Sequence, residues 1–134
     1  MPGAWEIPPS VLCCILHTDS TTVAWAFGLR RLIIPGPFQE PVGLSGMPFD
    51  HARNKAAMTV LESGADYLFF LDSDVVPPAD AILRLIAHKK PIVSGMYCRR
   101  SPPVAVPVMI RGGQWVTQFP KDALIEVDVV GAGC

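Results

Sequence analysis

The sequence carries little charge and no clear excess of either sign. Of its 134 residues, 17% are charged, the net charge is -1 and the isoelectric point is about 6.3. Proteins that bind nucleic acids or anionic membranes usually show a basic surplus, so we expect neither partner here. Any phosphate group that the chain binds must therefore be held locally, by a few side chains and backbone amides.

Long apolar runs are also missing. No run approaches the roughly 18 residues that a membrane-spanning helix needs. The opening Met-Pro-Gly-Ala-Trp-Glu lacks the basic start of a secretory signal. We therefore expect no transmembrane segment and a cytoplasmic location.

Cysteines are few and lie at spacings that do not favour a zinc site. The four are Cys13, Cys14, Cys98 and Cys134, with no Cys-x-x-Cys pair and no histidine at zinc-ligand spacing. Cys13 and Cys14 are neighbours in an apolar run, so as strand residues they would point to opposite faces of a sheet. The pattern favours buried, reduced thiols.

Apolar segments that end in polar residues predict an α/β fold. Buried parallel strands are predicted at Val11–Leu16, at 67–71 as a central strand, and at 92–97. Three helices are predicted between and after them. The first runs from Asp19 or Ser20 to about Arg31, and its apolar positions are Val23, Ala24, Phe27 and Leu32. The second runs from Asp50 to Gly64, with Ala52, Ala56, Ala57, Val60 and Leu61 apolar, and the third from Pro77 to about His88.

The remaining sequence gives weaker patterns. Residues 32–34 fit a short strand, whereas 41–46 are rich in Pro and Gly and are left as loop. Later strands are predicted at 104–110, 114–118 and 124–130, with a hairpin at Gly112-Gly113 and an edge position for Pro107. Together these elements predict one three-layer α/β/α domain over residues 1–134, with a mostly parallel central sheet and an antiparallel extension.

Asp72 and Asp74 are the strongest candidates for chemistry. They directly follow a largely apolar strand, so both carboxylates would emerge near one point at the edge where such sheets bind ligands. A divalent cation such as Mg²⁺ or Mn²⁺ takes one or two carboxylates together with phosphate oxygens. The alternative is that both aspartates only cap the following turn, a position that Asp favours.

Arg53 and Asn54 lie in the first turn of the helix predicted from Asp50. Free backbone donors at a helix start and a bidentate Arg would suit a phosphate, although a surface Arg on a solvated face is the simpler interpretation. Residues 17–19, His-Thr-Asp, end the first strand at the same edge, where a base and ribose could sit. For His17, an ordinary loop histidine is an equal alternative.

Taken together, these segments resemble the GT-A fold of family-two-like glycosyltransferases, which use nucleotide-diphosphate sugars. The matching segments are Asp-His-Ala-Arg-Asn at 50–54, Gly-Ala-Asp-Tyr-Leu-Phe-Phe-Leu-Asp-Ser-Asp-Val-Val-Pro-Pro at 64–78, Ser-Gly-Met-Tyr at 94–97 and Val-Asp-Val-Val-Gly-Ala-Gly-Cys at 127–134. Their order and spacing carry the resemblance, which covers most of the chain from about Val11.

The resemblance implies a metal-dependent transferase with Mn²⁺ or Mg²⁺ and a UDP- or GDP-linked donor. It implies that Asp74 ligates the metal, that Asp72 contacts ribose or a metal-bound water, and that Arg53 faces the diphosphate. Residues 131–133 would border the sugar and the acceptor. The implied nucleotide-sugar-binding residues are Thr18, Asp19, Arg53, Asn54, Asp72, Ser73 and Asp74.

Similar enzymes continue beyond the Gly-Ala-Gly segment, and that continuation usually carries the acceptor site and the general base. We therefore expect the chain to be a donor-binding portion without the acceptor part, and the acceptor is unknown. The late carboxylates are Asp122, Glu126 and Asp128. Asp128 is the best placed of them as a base, but a strand residue beside a buried face is more often structural.

Two other functions share part of the pattern. Haloacid-dehalogenase-like phosphatases also place Asp-x-Asp-x-Val after an apolar strand, with Asp72 then a nucleophile and Asp74 an acid/base. In that class the motif normally lies on the first strand, whereas here half the chain precedes it. A non-catalytic nucleotide-binding module is the other alternative. Arg99 and Arg100 receive no role. An unfinished sheet would leave an open edge and an apolar face, and dimerisation through that face is a further hypothesis.

Overall fold

Helices and strands alternate in the computed structural model, which describes residues 7–98 and 107–132. The described residues form a mixed α/β protein with one small parallel sheet and one antiparallel sheet. They group into two compact units, the first ending at Val93 and the second running from Ser94 to Ala132. The α/β class that the sequence predicts is confirmed, and the single domain over 1–134 remains a prediction.

The first unit holds three strands and three helices, and the second holds three short strands. In chain order the first unit contains β1 Val11–Leu16, α1 Val23–Arg31, β2 Val42–Leu44, α2 Phe49–Ser63, β3 Tyr67–Asp72 and α3 Ala81–Ala87. The second contains β4 Met109–Arg111, β5 Gln114–Trp115 and β6 Val129–Val130.

The parallel sheet has the order β2-β1-β3, so β1 is its central strand. All six residues of β1 are buried, as expected for a strand that is paired on both sides and covered on both faces. The prediction of a central strand at 67–71 is wrong within the described residues, because β3 pairs there with β1 alone. The register places Leu44, Leu16 and Asp72 side by side at the carboxyl edge.

Alternate residues of β1 belong to two different apolar clusters. Cys13 packs in a cluster that includes residues of α1 and α3, whereas Cys14 packs in a cluster that includes residues of α2. Both cysteines are buried free thiols, which confirms the sequence-based interpretation. Burial raises the pKa of the Cys14 thiol, because a low-dielectric environment disfavours the thiolate.

Helix α1 begins later than predicted and turns a different face to the sheet. Its cap is Thr22 rather than Asp19 or Ser20, and the Thr22 hydroxyl accepts a 3.1 Å hydrogen bond from the backbone N–H of Trp25. Trp25 and Gly28 are buried, whereas Val23, Ala24 and Phe27 of the predicted apolar face are exposed. Tertiary packing of the large indole decides the buried face, and local spacing does not.

Helix α2 ends as predicted, with Gly64 in the left-handed region at a φ of 73°. Its cap is Pro48 rather than Asp50, which lies in the first turn. Ala52 and Ala56 are buried as expected, but Ala57 and Leu61 are exposed. Small alanines let the helix lie close to the sheet, so the buried stripe is narrower than the apolar composition suggested.

Helix α3 starts at Ala81, not at Pro77, and Asp80 precedes it as the cap residue. The two prolines instead lie in the connection after β3, where the carbonyl of Pro78 accepts a hydrogen bond from the N–H of Ala81. The predicted end near His88 is confirmed, because His88 is the residue that follows the helix.

One strand prediction and one loop prediction in the first part of the chain are wrong. Residues 32–34 lie outside any strand, and the N–H of Ile33 donates instead to the carbonyl of Ala79. Val42–Leu44, which was predicted as loop, is β2. Gly43 explains why a Gly-containing segment pairs here, since a β-carbon on it would lie 2.8 Å from Nε2 of His17. The absence of a side chain lets the His17 ring pack against this strand.

The strand predicted at 92–97 is also absent: from 92 to 97 the described backbone is irregular, and Cys98 alone forms an isolated antiparallel bridge, with Pro107. Next to that bridge the N–H of Val108 donates to the carbonyl of Tyr97 at 2.9 Å. Pro107 therefore lies in an isolated bridge outside the named strands, and its predicted edge position stays a prediction. Residues 104–106 of the strand predicted at 104–110 lie outside the described residues.

The antiparallel sheet has the order β5-β4-β6, and its hairpin turn is confirmed at Gly112-Gly113. Both glycines have positive φ, 58° and 76°, as a tight hairpin turn requires. The strands are shorter than the predicted 114–118 and 124–130. In the described parts of the chain, every helix is too short or too polar to cross a membrane.

Candidate active site at the carboxyl edge of the parallel sheet

Strand β3 delivers Asp72 to the carboxyl edge, where the chain turns sharply. The carbonyl of Asp72 accepts a 3.1 Å hydrogen bond from the N–H of Val75, which closes the turn. Ser73 continues the pairing with β1, since its N–H donates to the carbonyl of Leu16 at 3.2 Å. Asp74 is exposed just beyond. The structure thus places both predicted carboxylates at the edge where α/β sheets bind ligands.

Arg53 reaches this turn from α2. One guanidinium nitrogen lies 3.5 Å from a carboxylate oxygen of Asp72, and the two side chains are 29% and 32% exposed. The guanidinium carbon also lies 5.0 Å from the centre of the Phe70 ring, a cation–π distance. The alternative of an Arg on a solvated face is therefore not what the structure shows. A partly exposed pair of this length contributes about 0–1 kcal/mol.

The carboxyl group of Asp72 has a shifted pKa. Burial raises the pKa of Asp72 above its ordinary value, the Arg53 guanidinium acts in the opposite direction, and the nearby Asp74 carboxylate raises it further. Burial and the like charge of Asp74 thus outweigh the attraction of Arg53.

The loop after β1 follows the same sheet edge. The His17 ring nitrogen Nδ1 lies 2.9 Å from the carbonyl of Thr18, and the Thr18 hydroxyl donates to the carbonyl of Ser20 at 3.3 Å. These hydrogen bonds stay within the loop. Asp19 is exposed there, and Asn54 is exposed on α2 beside Arg53. The structure therefore brings Arg53 to Asp72, whereas Thr18, Asp19 and Asn54 line the surroundings without a described contact to the Asp72 carboxylate.

Two residues at the turn were missed by the sequence analysis. The Thr21 hydroxyl donates to the carbonyl of Ser73 at 2.9 Å, and the Trp25 indole N–H donates to the carbonyl of Asp72 at 3.1 Å. A signal was present, because a tryptophan in a helix facing a sheet needs a partner for its N–H. The identity of that partner depends on long-range packing and was not readable from the sequence.

The carboxylates fit a cation that is shared with a phosphate better than a closed protein site. Within 7–98 and 107–132, no group of three or more His, Cys, Asp or Glu side chains is placed to hold a metal ion. Mg²⁺ and Mn²⁺ bound with nucleotides commonly take only one or two carboxylates and fill the other positions with phosphate oxygens and water. Asp72 and Asp74 match that smaller donor set.

Asp128, the base candidate, has a structural contact in the second unit. One of its carboxylate oxygens accepts a 2.6 Å hydrogen bond from the N–H of Gly112 in the hairpin turn. Arg111 beside it donates to the carbonyl of Glu126. At Gly131 a β-carbon would overlap the Tyr97 hydroxyl, so a larger residue there would require the Tyr97 side chain to move. Gly133 and Cys134 of the same predicted segment lie outside the described residues.

Comparisons with known proteins add no further assignment. No family model, no curated protein and no solved structure matches the chain. The sequence pattern and the geometry of the site are what any functional assignment rests on.

Proposed function

We propose that this chain binds a nucleotide-diphosphate sugar through a divalent cation at Asp72-Ser73-Asp74, as the donor-binding portion of a GT-A-type glycosyltransferase. The observation that carries the proposal is Asp72 itself, which ends a strand at the carboxyl edge of the sheet, half-buried, with a raised pKa and one long contact, from Arg53, among the described residues. Structural aspartates are usually better satisfied than this.

Each side chain has a distinct task in the proposal. Asp74, exposed beyond the turn, supplies the carboxylate that meets the cation, which would be Mn²⁺ or Mg²⁺ and would offset charge on the diphosphate leaving group. Asp72 accepts from a ribose hydroxyl or a metal-bound water. Arg53, held over Phe70 at 5.0 Å, turns its donors from Asp72 to the diphosphate. The aromatic face keeps the guanidinium at the edge in both situations.

The arrangement of the apolar clusters supports the same proposal at the level of the fold. Residues of α1 and α3 share one cluster with alternate residues of β1, and residues of α2 share the other cluster. We infer from this a three-layer α/β/α core of the GT-A type. The antiparallel strands β4, β5 and β6 would then be the predicted antiparallel extension.

The phosphatase alternative fits the topology less well. That class normally carries its nucleophilic aspartate on the first strand of the domain, whereas Asp72 ends β3 and β1 is central. We propose no catalytic base, because the Asp128 carboxylate already accepts from Gly112. Donor binding is therefore the core of the proposal, and sugar transfer needs an acceptor whose identity is unknown.

Calorimetric titration with UDP, GDP and UDP-glucose, each with and without Mn²⁺, tests the proposal. We expect binding of one nucleoside diphosphate to require Mn²⁺ and to fall at least about tenfold in Asp74→Ala, a change of roughly 1.4 kcal/mol. Asp80→Ala is the matched control, since Asp80 is also exposed in the β3–α3 connection and makes no capping hydrogen bond through its side chain. Binding that ignores Mn²⁺ and Asp74, or no binding by the folded chain, would contradict the proposal.

A further inference from the structure

We propose that Thr21 and Trp25 are positioning residues for the site: they hold the backbone of Asp72 and Ser73 and thereby set the directions of the two carboxylates. This inference rests on the proposed function and identifies which part of the fold makes the site ready for its ligand. Neither residue needs to touch the nucleotide or the cation.

The carbonyl of Asp72 is held from two sides. The indole N–H of Trp25 donates to it at 3.1 Å, and the N–H of Val75 donates to it at 3.1 Å. A carbonyl oxygen accepts two hydrogen bonds, so its capacity is fully used. Trp25 is only 7% exposed and packs in the apolar cluster beneath α1 and α3. Because the Trp25 side chain is enclosed, it cannot move together with the carbonyl of Asp72. It therefore restrains the peptide group between Asp72 and Ser73.

Ser73 is held at both of its backbone groups. Its N–H donates to the carbonyl of Leu16 on β1 at 3.2 Å, and its carbonyl accepts from the hydroxyl of Thr21 at 2.9 Å. Asp74 begins at the far side of that carbonyl. The peptide planes on each side of Ser73 are thus tied to β1 and to the start of α1, so Asp72 and Asp74 leave the turn in fixed relative directions.

A close approach between α1 and the residues after the turn adds a third constraint. A β-carbon on Gly28 would lie 2.8 Å from a methyl carbon of Val76. Real β-carbons essentially never come that close, so this spacing exists only because residue 28 is glycine. Thr21, Trp25 and Gly28 lie along α1 or just before it, and they meet Ser73, Asp72 and Val76 respectively.

Such fixing matters because a bound cation needs its ligands within about 0.5 Å of the productive position. A turn that is ordered before the ligand arrives avoids the entropy cost of ordering at the moment of binding. Loss of either side-chain hydrogen bond should therefore weaken binding of the ligand that joins Asp72 and Asp74. For Thr21 the effect on folding should be smaller, because the apolar cluster and the strand pairing remain. Replacement of the buried Trp25 also removes packing from that cluster.

The test uses Thr21→Val and Trp25→Phe in the full chain, with affinity for UDP in the presence of Mn²⁺ as the readout. We expect each variant to bind about tenfold more weakly, the size of one well-placed hydrogen bond. Thr21→Ser keeps the hydroxyl and should restore wild-type affinity. Thr59→Val is the matched control, since the Thr59 hydroxyl donates to the carbonyl of Lys55 within α2; its affinity should not change.

A second readout measures ligand binding in the wild-type chain and needs the variants only for assignment. The indole N–H of Trp25 gives its own signal in a proton–nitrogen correlation spectrum, which is assigned with Trp115→Phe and Trp25→Phe. Mg²⁺ with UDP should shift the Trp25 signal, because its acceptor is the carbonyl of Asp72.

The outcomes separate the two proposals. If the wild type binds and both Thr21→Val and Trp25→Phe bind equally well, or if the Trp25 signal stays unmoved at saturation, the positioning role is wrong and the donor site stands. If the wild type fails to bind any nucleoside diphosphate with Mn²⁺, the proposed function and the positioning role fall together. Weakened binding with rescue by Thr21→Ser supports both.

Discussion

Asp66 and Asp72 lie at opposite ends of strand β3 and differ in their contacts and in the direction of their pKa shifts. Asp66 precedes β3, and one of its carboxylate oxygens accepts from both the N–H and the hydroxyl of Ser10, at 2.8 and 2.9 Å. Asp72 ends β3, and its carboxylate has one described contact, to Arg53 at 3.5 Å. Hydrogen bonds from Ser10 lower the pKa of Asp66, whereas burial raises that of Asp72.

The difference teaches how to separate a structural carboxylate from a functional one. The fold itself supplies the donors that Asp66 needs, so the ionised form is favoured there and no ligand is called for. At Asp72 burial disfavours the ionised form, and the described contact from Arg53 does not offset that effect. A carboxyl group with a raised pKa at the carboxyl edge of a parallel sheet is a candidate functional group.

The largest expected effect comes from removing core packing in β3, the strand that connects Asp66 and Asp72. Leu71 is fully buried in β3, so Leu71→Ala leaves a cavity and should lower the free energy of unfolding by about 2–5 kcal/mol. Urea denaturation measures this change. Leu61→Ala is the control, because Leu61 is 76% exposed on α2 and its loss should change the free energy by less than about 0.5 kcal/mol. Equal losses would show that β3 is not part of the core.

The second-largest expected effect is a change in ligand affinity when Arg53 is replaced. In Arg53→Gln, binding of UDP in the presence of Mn²⁺ should weaken about tenfold, because a charged donor to the diphosphate is lost. Binding of Mn²⁺ alone should instead tighten by a few-fold, since the cation no longer competes with Arg53 for Asp72. Calorimetry measures both, with the exposed Arg84→Gln as control. A loss of both affinities would mean that Arg53 only supports the fold.

The stability contributed by Asp66, at the amino end of β3, should be lost at low pH. The pKa of Asp66 is depressed in the folded chain, so its ionised form stabilises the fold above the unfolded pKa of about 4, and this contribution disappears as pH falls through the lower, folded pKa. Asp66→Asn should therefore lower Tm at pH 7, and its deficit relative to wild type should shrink toward pH 3. A deficit that does not depend on pH would contradict this account.

At the carboxyl end of β3, substitution of Asp72 should change Tm in the opposite direction, and this is the smallest of the expected effects. The pKa of Asp72 is raised by folding, so its ionisation costs stability as pH rises from the unfolded pKa through the folded pKa. Asp72→Asn removes that cost and should raise Tm slightly at pH 7, with the gain vanishing below the unfolded pKa. Thermal unfolding followed by circular dichroism at pH 7 and pH 3 checks both points.

Strands β1 and β3 and the turn at Asp72 could be predicted from the sequence, because an apolar run that ends in polar residues is a local signal. The glycine positions at Gly64 and Gly112 were predictable for the same reason, since a left-handed residue is a local requirement. The α/β class followed from the alternation of such segments.

What could not be predicted depends on distant parts of the chain. Strand β2 pairs with β1 although it contains Gly43, and the His17 ring lies beside that glycine, a contact between residues far apart in sequence. The buried face of α1 is fixed by Trp25, whose partner is the carbonyl of Asp72, 47 positions away. For the same reason the candidate carboxylates were found and the residues that hold them were missed.

The most direct test of the central claim compares Asp66→Asn with Asp72→Asn in one experiment, in which UDP is titrated into each variant with Mn²⁺ and Tm is measured on the same samples. The account predicts that Asp66→Asn lowers Tm and leaves the affinity unchanged, whereas Asp72→Asn leaves Tm unchanged or slightly higher and weakens binding at least about tenfold. Equal affinities in the two variants, or loss of binding in Asp66→Asn alone, would contradict the account.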